Sequence, residues 1–171
     1  MEKEINRPRV AIARKYAKNI IKESNIEQPP IMLKEVVLYL KNKYDLSVYP
    51  WKFSDNVDGI QVTKGETSGI GYNQSKHPHR QRFTVAHEIG HFLLGHTQEH
   101  SDHYFDLLND DNKPMEVEAN QFAAELLIPL SMIKTDLNSK IYDIKKLSQI
   151  YWVSENAMWN KIINCKLLDK I

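Results

Sequence analysis

The chain has 171 residues, enough for one compact domain with a sizeable core, or one domain with a small appendage. Its 23 Lys and Arg residues nearly balance its 22 Asp and Glu residues, so no overall charge favours nucleic acid or membrane binding. The single cysteine, Cys165, excludes an intramolecular disulfide and a thiolate zinc site, and it fits a reducing compartment. Because no apolar run resembles a signal peptide or a membrane span, we expect a soluble cytoplasmic protein.

The first part of the chain predicts two helices followed by a small sheet. Apolar residues recur at the helical period over 8–23 and again over 32–43. The pattern then changes to short segments rich in β-branched and aromatic residues at 46–53, 57–65 and 68–73, separated by Gly and Asp. These segments predict a small antiparallel sheet.

The second part of the chain returns to helices. A third helix is predicted near 80–95, where the final glycine suits the left-handed position after a helix. A polar loop follows at 97–114, and a fourth helix at 115–128 ends before a proline. We therefore expect an α+β, mostly helical fold, with a core domain over 1–130 and a helical C-terminal segment, 131–171, packed on it.

The third predicted helix carries His87, Glu88 and His91 within an otherwise apolar run. On a helical wheel these three residues share one polar stripe, so the helix is expected to be packed on nearly every other side. Unpaired polar groups at the edge of a core are costly, and a bound metal ion removes that cost. Because residues at i and i+4 project in the same direction, both imidazoles can reach one tetrahedral ion. H-E-x-x-H therefore predicts a zinc site. The alternative is a pair of core histidines whose hydrogen bonds are made within the protein.

Two histidines need a third protein ligand to form a zinc site. One common solution is a histidine six residues after His91, but Thr97 stands there, and His96 is one residue short. The other common solution is a glutamate from a later helix, which leaves Glu116 and Glu118 as candidates.

The phase of the fourth predicted helix favours Glu116 over Glu118. Glu116 and Asn120 rise from a face with small and apolar neighbours, whereas Glu118 and Glu125 fall on a face predicted to be solvated. Asn120, one turn after Glu116, is placed to hold the imidazole of a ligand histidine by a hydrogen bond. A plain helix-surface role for Asn120 remains the alternative.

The stretches RFTVAHEIGH and EVEANQFAAELLIP together resemble the ImmA/IrrE family of zinc metallopeptidases, which occurs in bacteria, phages and other mobile elements. The spacer between the two stretches and the helix, helix, sheet order before them are also similar. The resemblance implies a gluzincin-like, or zincin-like, core in which His87, His91 and Glu116 bind one zinc ion and Glu88 is the catalytic residue. It further implies site-specific cleavage of a helix-turn-helix repressor of the phage type, which activates the genes that the repressor silences.

The chemistry of such a site follows from its ligands. A zinc ion with three protein ligands keeps a position for water and polarises the scissile carbonyl, and Glu88 can take the water proton and pass it to the leaving amine. His103 or Tyr104 in the loop, or Tyr72 in the sheet, could donate to the oxyanion, and the sequence does not choose among them. The strand predicted at 68–73 could hold an extended substrate along its edge.

A second class of function comes from the C-terminal segment. It is predicted to form a helix, a turn and a helix capped by Ser154, similar to a helix-turn-helix. The second helix offers only Lys161 and Lys166 as basic residues, so we expect a protein substrate as partner and no direct DNA binding. The alternative function is a non-proteolytic, zinc-containing regulator that binds a repressor or DNA.

Overall fold

The computed structural model describes residues 7–96, 104–105, 114–140 and 143–170. The fold is α+β and mostly helical, as predicted. In chain order its elements are α1 (Val10–Glu23), α2 (Leu33–Tyr44), β1 (Leu46–Trp51), β2 (Gly59–Lys64), β3 (Thr67–Asn73), α3 (Pro78–Leu94), β4 (Tyr104–Phe105), α4 (Pro114–Leu127), α5 (Leu130–Asn138), α6 (Ile144–Tyr151), α7 (Glu155–Asn164) and a final 3-10 turn (Leu168–Lys170). Among these residues no helix is both long and apolar enough to cross a membrane.

The sheet is mixed, which corrects the prediction of a purely antiparallel one. Its strand order is β1-β3-β2-β4, with β2 antiparallel to β3 and β4 but β1 parallel to β3. The reason is the tight β2–β3 hairpin, which turns at Gly65 in the left-handed region and inserts β3 between β1 and β2. Since β3 is paired on both sides, it has no edge for a substrate strand, and the expectation of pairing at 68–73 was wrong.

Helix α3 lies at the centre of the molecule. Its residues from Thr84 to His91 are all buried, because α3 packs against α4 and α1 and also against β2 and β3. The buried apolar core is continuous from α1 to the C-terminal helices, and includes Ile89, Phe122, Tyr151 and Ile162. The division into 1–130 and 131–171 stays a prediction, and both parts contribute to this single core.

Two glycines set how closely the neighbouring elements approach α3. A Cβ atom at Gly90 would lie 3.0 to 3.2 Å from side-chain atoms of Phe122 on α4. At the start of β2, Gly59 lies against the side chains of Thr84 and Glu88 and has no room for a Cβ. The absence of side chains at these two positions lets α4 and β2 approach α3 beside the polar stripe.

We expect Gly90→Ala to lower the free energy of unfolding by about 1–3 kcal/mol, because Phe122 is fully buried and cannot yield to the added methyl group. Urea unfolding of the metal-free protein measures this change. Gly69→Ala is the matched control, because a Cβ at Gly69 meets nothing within 4 Å, and it should alter stability by less than about 0.5 kcal/mol. Equal stability of wild type and Gly90→Ala would contradict the close-packing account.

Candidate metal centre

Helix α3 begins and ends at residues that suit those positions. It starts at Pro78, two residues before the predicted start, because proline fits the first helical turn and the ring of His77 accepts a hydrogen bond from the His79 backbone N–H. It ends at Gly95, which has a left-handed φ of 75°. Between these ends the helix holds His87, Glu88 and His91 at a fixed relative geometry.

His87, His91 and Glu116 converge in one buried cluster. The Nε2 atoms of His87 and His91 lie 2.9 Å apart, and each is within 3.3 Å of a Glu116 carboxylate oxygen. One ligand atom from each residue lies within 4.8 Å of the other two. Two imidazole nitrogens and a carboxylate oxygen are a ligand set that suits zinc and leaves a fourth position open. The cluster therefore fits a metal ion.

Asn120 contacts one of the two histidines. Its Oδ1 lies 3.0 Å from Nδ1 of His87, on the side of the ring away from Glu116. When Nδ1 donates its proton to this oxygen, the lone pair of Nε2 faces the cluster and is available to a metal ion. The structure thus brings Asn120 to His87, and its role in holding a ligand imidazole stays a prediction.

Glu88 is buried beside the ligand cluster. It follows His87 directly on α3, and its Cγ stands over Gly59 at the start of β2. The Glu88 side chain thus lies where α3 meets the start of β2 and is almost fully buried.

Comparison with known proteins agrees with this geometry. Residues 43–162 match the model of the Peptidase_M78 family, described as IrrE N-terminal-like domain. The chain belongs to this peptidase family. The match includes both ligand helices and the sheet, so the resemblance inferred from the two motifs is confirmed.

Solved structures add a likeness of fold. One is a Mycobacterium tuberculosis transcriptional regulator, with a TM-score of 0.63 and 15% sequence identity. The match covers 86% of this chain and 45% of that chain, so this peptidase-family chain spans under half of the regulator's length. No curated protein matches the chain in sequence.

The structure describes the three candidates for donating to the oxyanion to different extents. Tyr72 is paired with Gly59 across β2 and β3, so its side chain lies on the sheet face that meets α3. Tyr104 belongs to β4, where only its backbone is described, and His103 lies outside the described residues. The role of each stays a prediction.

Glu118 and Glu125 are buried, which corrects the prediction that they lie on a solvated face. Their exposures are 3% and 1%, because α1 and α7 cover the sides of α4 that the wheel assigned to solvent. Glu125 pairs with Lys161 at 2.6 Å, and Glu118 pairs with Arg9 at 2.8 Å. These basic partners are distant in sequence from α4. The composition of α4, with three glutamates and no basic residue, was the one indication that such partners come from other elements.

Glu118 is held in its charged form. Burial alone would raise its pKa, but hydrogen bonds from the side chain and backbone N–H of Arg9, a hydrogen bond with His96 and the Arg9 charge together lower the pKa to about 2. Arg9 reaches both carboxylate oxygens, through its backbone N at 2.7 Å and its Nη2 at 2.8 Å. The residue before α1 is thereby tied to α4.

A cleft of about 740 Å³ opens between α3, α4 and α7, and its wall contains none of His87, Glu88, His91 and Glu116. Phe83, one turn before His87, and Asn120, one turn after Glu116, lie in its wall. The α7 side of the cleft carries a row of exposed amides, Asn156, Asn160 and Asn164. Such amides can donate to and accept from the backbone of an extended peptide.

We expect Arg9→Gln to lower the free energy of unfolding of the metal-free protein by about 1 kcal/mol at neutral pH, since the Arg9 side chain is half exposed. Because the folded-state pKa of Glu118 is depressed, this contribution is complete above its ordinary value of 4.5 and is lost as the pH falls toward about 2. Urea unfolding at several pH values measures the difference between wild type and variant. A difference that increases as the pH falls below 4.5 would contradict the assignment.

Proposed function

We propose that this chain is a zinc-dependent, site-specific endopeptidase. The observation that carries the proposal is the convergence of His87, His91 and Glu116 in one buried cluster, with Glu88, the residue after His87 on α3, also buried. Membership of a peptidase family supports the same reaction class. Zinc is the proposed ion because two imidazoles and one carboxylate, with a further position for water, are a common catalytic zinc set.

The protein groups have distinct tasks in this proposal. His87, His91 and Glu116 would hold the zinc ion, which when bound would supply Lewis acidity and make a water molecule more acidic. Asn120 holds His87 in the tautomer that presents Nε2 to the cluster. Glu88 accepts the proton of the attacking water on its carboxylate and then delivers it to the nitrogen of the leaving amine. Burial of Glu88 keeps bulk water from competing for that proton.

We infer that the cleft between α3, α4 and α7 binds part of the substrate. Phe83 and Asn120 in its wall each lie one helical turn from a cluster residue, so a peptide bound there reaches the cluster by continuing about one turn further. We infer that the exposed asparagines of α7 bind the backbone of that peptide. This mode of binding replaces the β-pairing with β3 that the sheet order excludes.

We infer that the substrate is a helix-turn-helix repressor. The resemblance to ImmA/IrrE peptidases and the similarity of fold to a transcriptional regulator support this substrate class. The alternative, a regulator that binds DNA without proteolysis, has less support, because Lys161 is buried in its pair with Glu125. That burial removes one of the two basic residues that α7 and its C-terminal end would offer to DNA.

Glu88→Gln separates the two functions. The change keeps the size of the side chain and all three proposed zinc ligands, so the variant should bind zinc and fold, yet cleave nothing, because an amide cannot accept the water proton. New protein N-termini are mapped in cells that express wild type or variant. The proposal predicts new N-termini in a helix-turn-helix repressor only with the wild type.

Three outcomes would contradict the proposal or a part of it. Identical N-termini with wild type and Glu88→Gln would overturn the peptidase assignment, and relief of repression by the variant would favour the non-proteolytic regulator. New N-termini confined to unrelated proteins would leave the peptidase assignment standing and overturn the repressor as substrate.

A further inference from the structure

The second ligand histidine, His91, also has a partner on the side of its ring away from the cluster. Its Nδ1 lies 2.8 Å from Nδ1 of His96, and the contact is buried. A histidine five residues further along a continuous helix would lie about 140° away around the axis and could not make this contact. The left-handed turn at Gly95 reverses the chain and returns His96 to His91.

The direction of each hydrogen bond follows from the proposed metal-binding role of His91. Because Nε2 of His91 must present a lone pair to the cluster, its Nδ1 carries the proton and donates it to His96. The Nδ1 atom of His96 is then an acceptor, so the proton of neutral His96 lies on Nε2. That atom is 3.0 Å from Oε2 of Glu118, to which it donates.

Arg9 completes the chain of contacts. Its Nε and Nη2 atoms and its backbone N–H all donate to the carboxylate of Glu118, at distances of 2.7 to 3.1 Å. Glu118 therefore stays ionised and accepts from both Arg9 and His96. With Nε2 of His91 free for a metal ion, the hydrogen bonds from His91 to His96 and from His96 to Glu118 both run from donor to acceptor. Nη2 of Arg9 also lies 3.5 Å from Nε2 of His96, and in this arrangement it donates to Glu118 and not to that ring.

We propose that His96, Glu118 and Arg9 are positioning residues that hold the ring of His91 for metal binding, so that the segment before α1 contributes to metal affinity. The proposal rests on the metal centre of the proposed function. Outer hydrogen-bond partners of this kind fix the tautomer and orientation of a ligand imidazole and raise its basicity. In this chain they also connect α3 and α4 with the residue that precedes α1.

The test measures the zinc affinity of the folded full chain by competition with a chromophoric chelator. His96→Phe keeps a ring but removes the acceptor, and it should weaken zinc binding by about 10- to 100-fold. His96→Asn keeps an oxygen near the position of Nδ1, so it should recover part of the lost affinity. Glu118→Gln removes the charge that holds His96 and should weaken binding by about 10-fold.

Glu125→Gln is the matched control for Glu118→Gln. Both residues are buried glutamates of α4 with a basic partner, so both changes remove a buried carboxylate. Glu125 contacts Lys161 and the backbone of Leu130 and is not part of the series that reaches His91. Glu125→Gln should change stability but leave zinc affinity within about twofold of the wild type. If the role of Glu118 were purely structural, Glu118→Gln would affect zinc affinity no more than Glu125→Gln does.

Arg9→Gln keeps the test decisive if the buried variants fail to fold, because the Arg9 side chain is half exposed. It should weaken zinc binding by several-fold in a folded protein. Wild-type zinc affinity in Arg9→Gln and in every folded His96 and Glu118 variant would overturn the proposal while leaving the metal centre intact. A wild-type chain that binds no zinc would overturn the metal centre, and the proposed function with it.

Discussion

The burial of two imidazoles of α3 and three glutamates of α4 at the contact between these helices is the constraint on which the rest of this structure depends. An isolated carboxylate or an unpaired ring nitrogen in such a place is costly, so each group requires a partner. Glu118 has Arg9 and His96, Glu125 has Lys161, and Glu116 faces the Nε2 atoms of the two α3 histidines. The last set has the composition and spacing of metal ligands, whereas the first two are neutralised within the protein.

These partners also explain the architecture. Residues from before α1 and from α7 cover the same face of α4 about two turns apart, and each supplies a cation to a buried glutamate. Gly90 and Gly59 allow α4 and β2 to approach α3 closely enough to confine the polar stripe. A site enclosed in this way keeps its ligands in fixed positions, and little reorganisation is then needed when an ion binds.

The sequence predicted the parts of the site that depend on local geometry. His87 and His91 are one helical turn apart, and the phase of α4 alone distinguished Glu116 and Asn120 from the other polar residues of that helix.

The burial of Glu118 could not be found in this way, because Arg9 lies 109 residues away and helical phase says nothing about what covers a face. The same limit applies to the parallel pairing of β1 with β3, which depends on where a hairpin inserts rather than on strand composition. The sequence analysis rejected His96 as a metal ligand because it is one residue short of the expected position. In the structure the left-handed turn at Gly95 places His96 against the ring of His91 instead.

We propose that the polar stripe of α3 persists in a buried helix because it binds a hydrolytic metal ion together with Glu116. Elemental analysis of zinc per chain, for wild type beside Glu116→Ala, is the measurement that decides this. We expect about one zinc ion in the wild type and loss of zinc in a variant that remains folded. A wild type without zinc, or a Glu116→Ala variant that retains it, would show that the stripe has another cause.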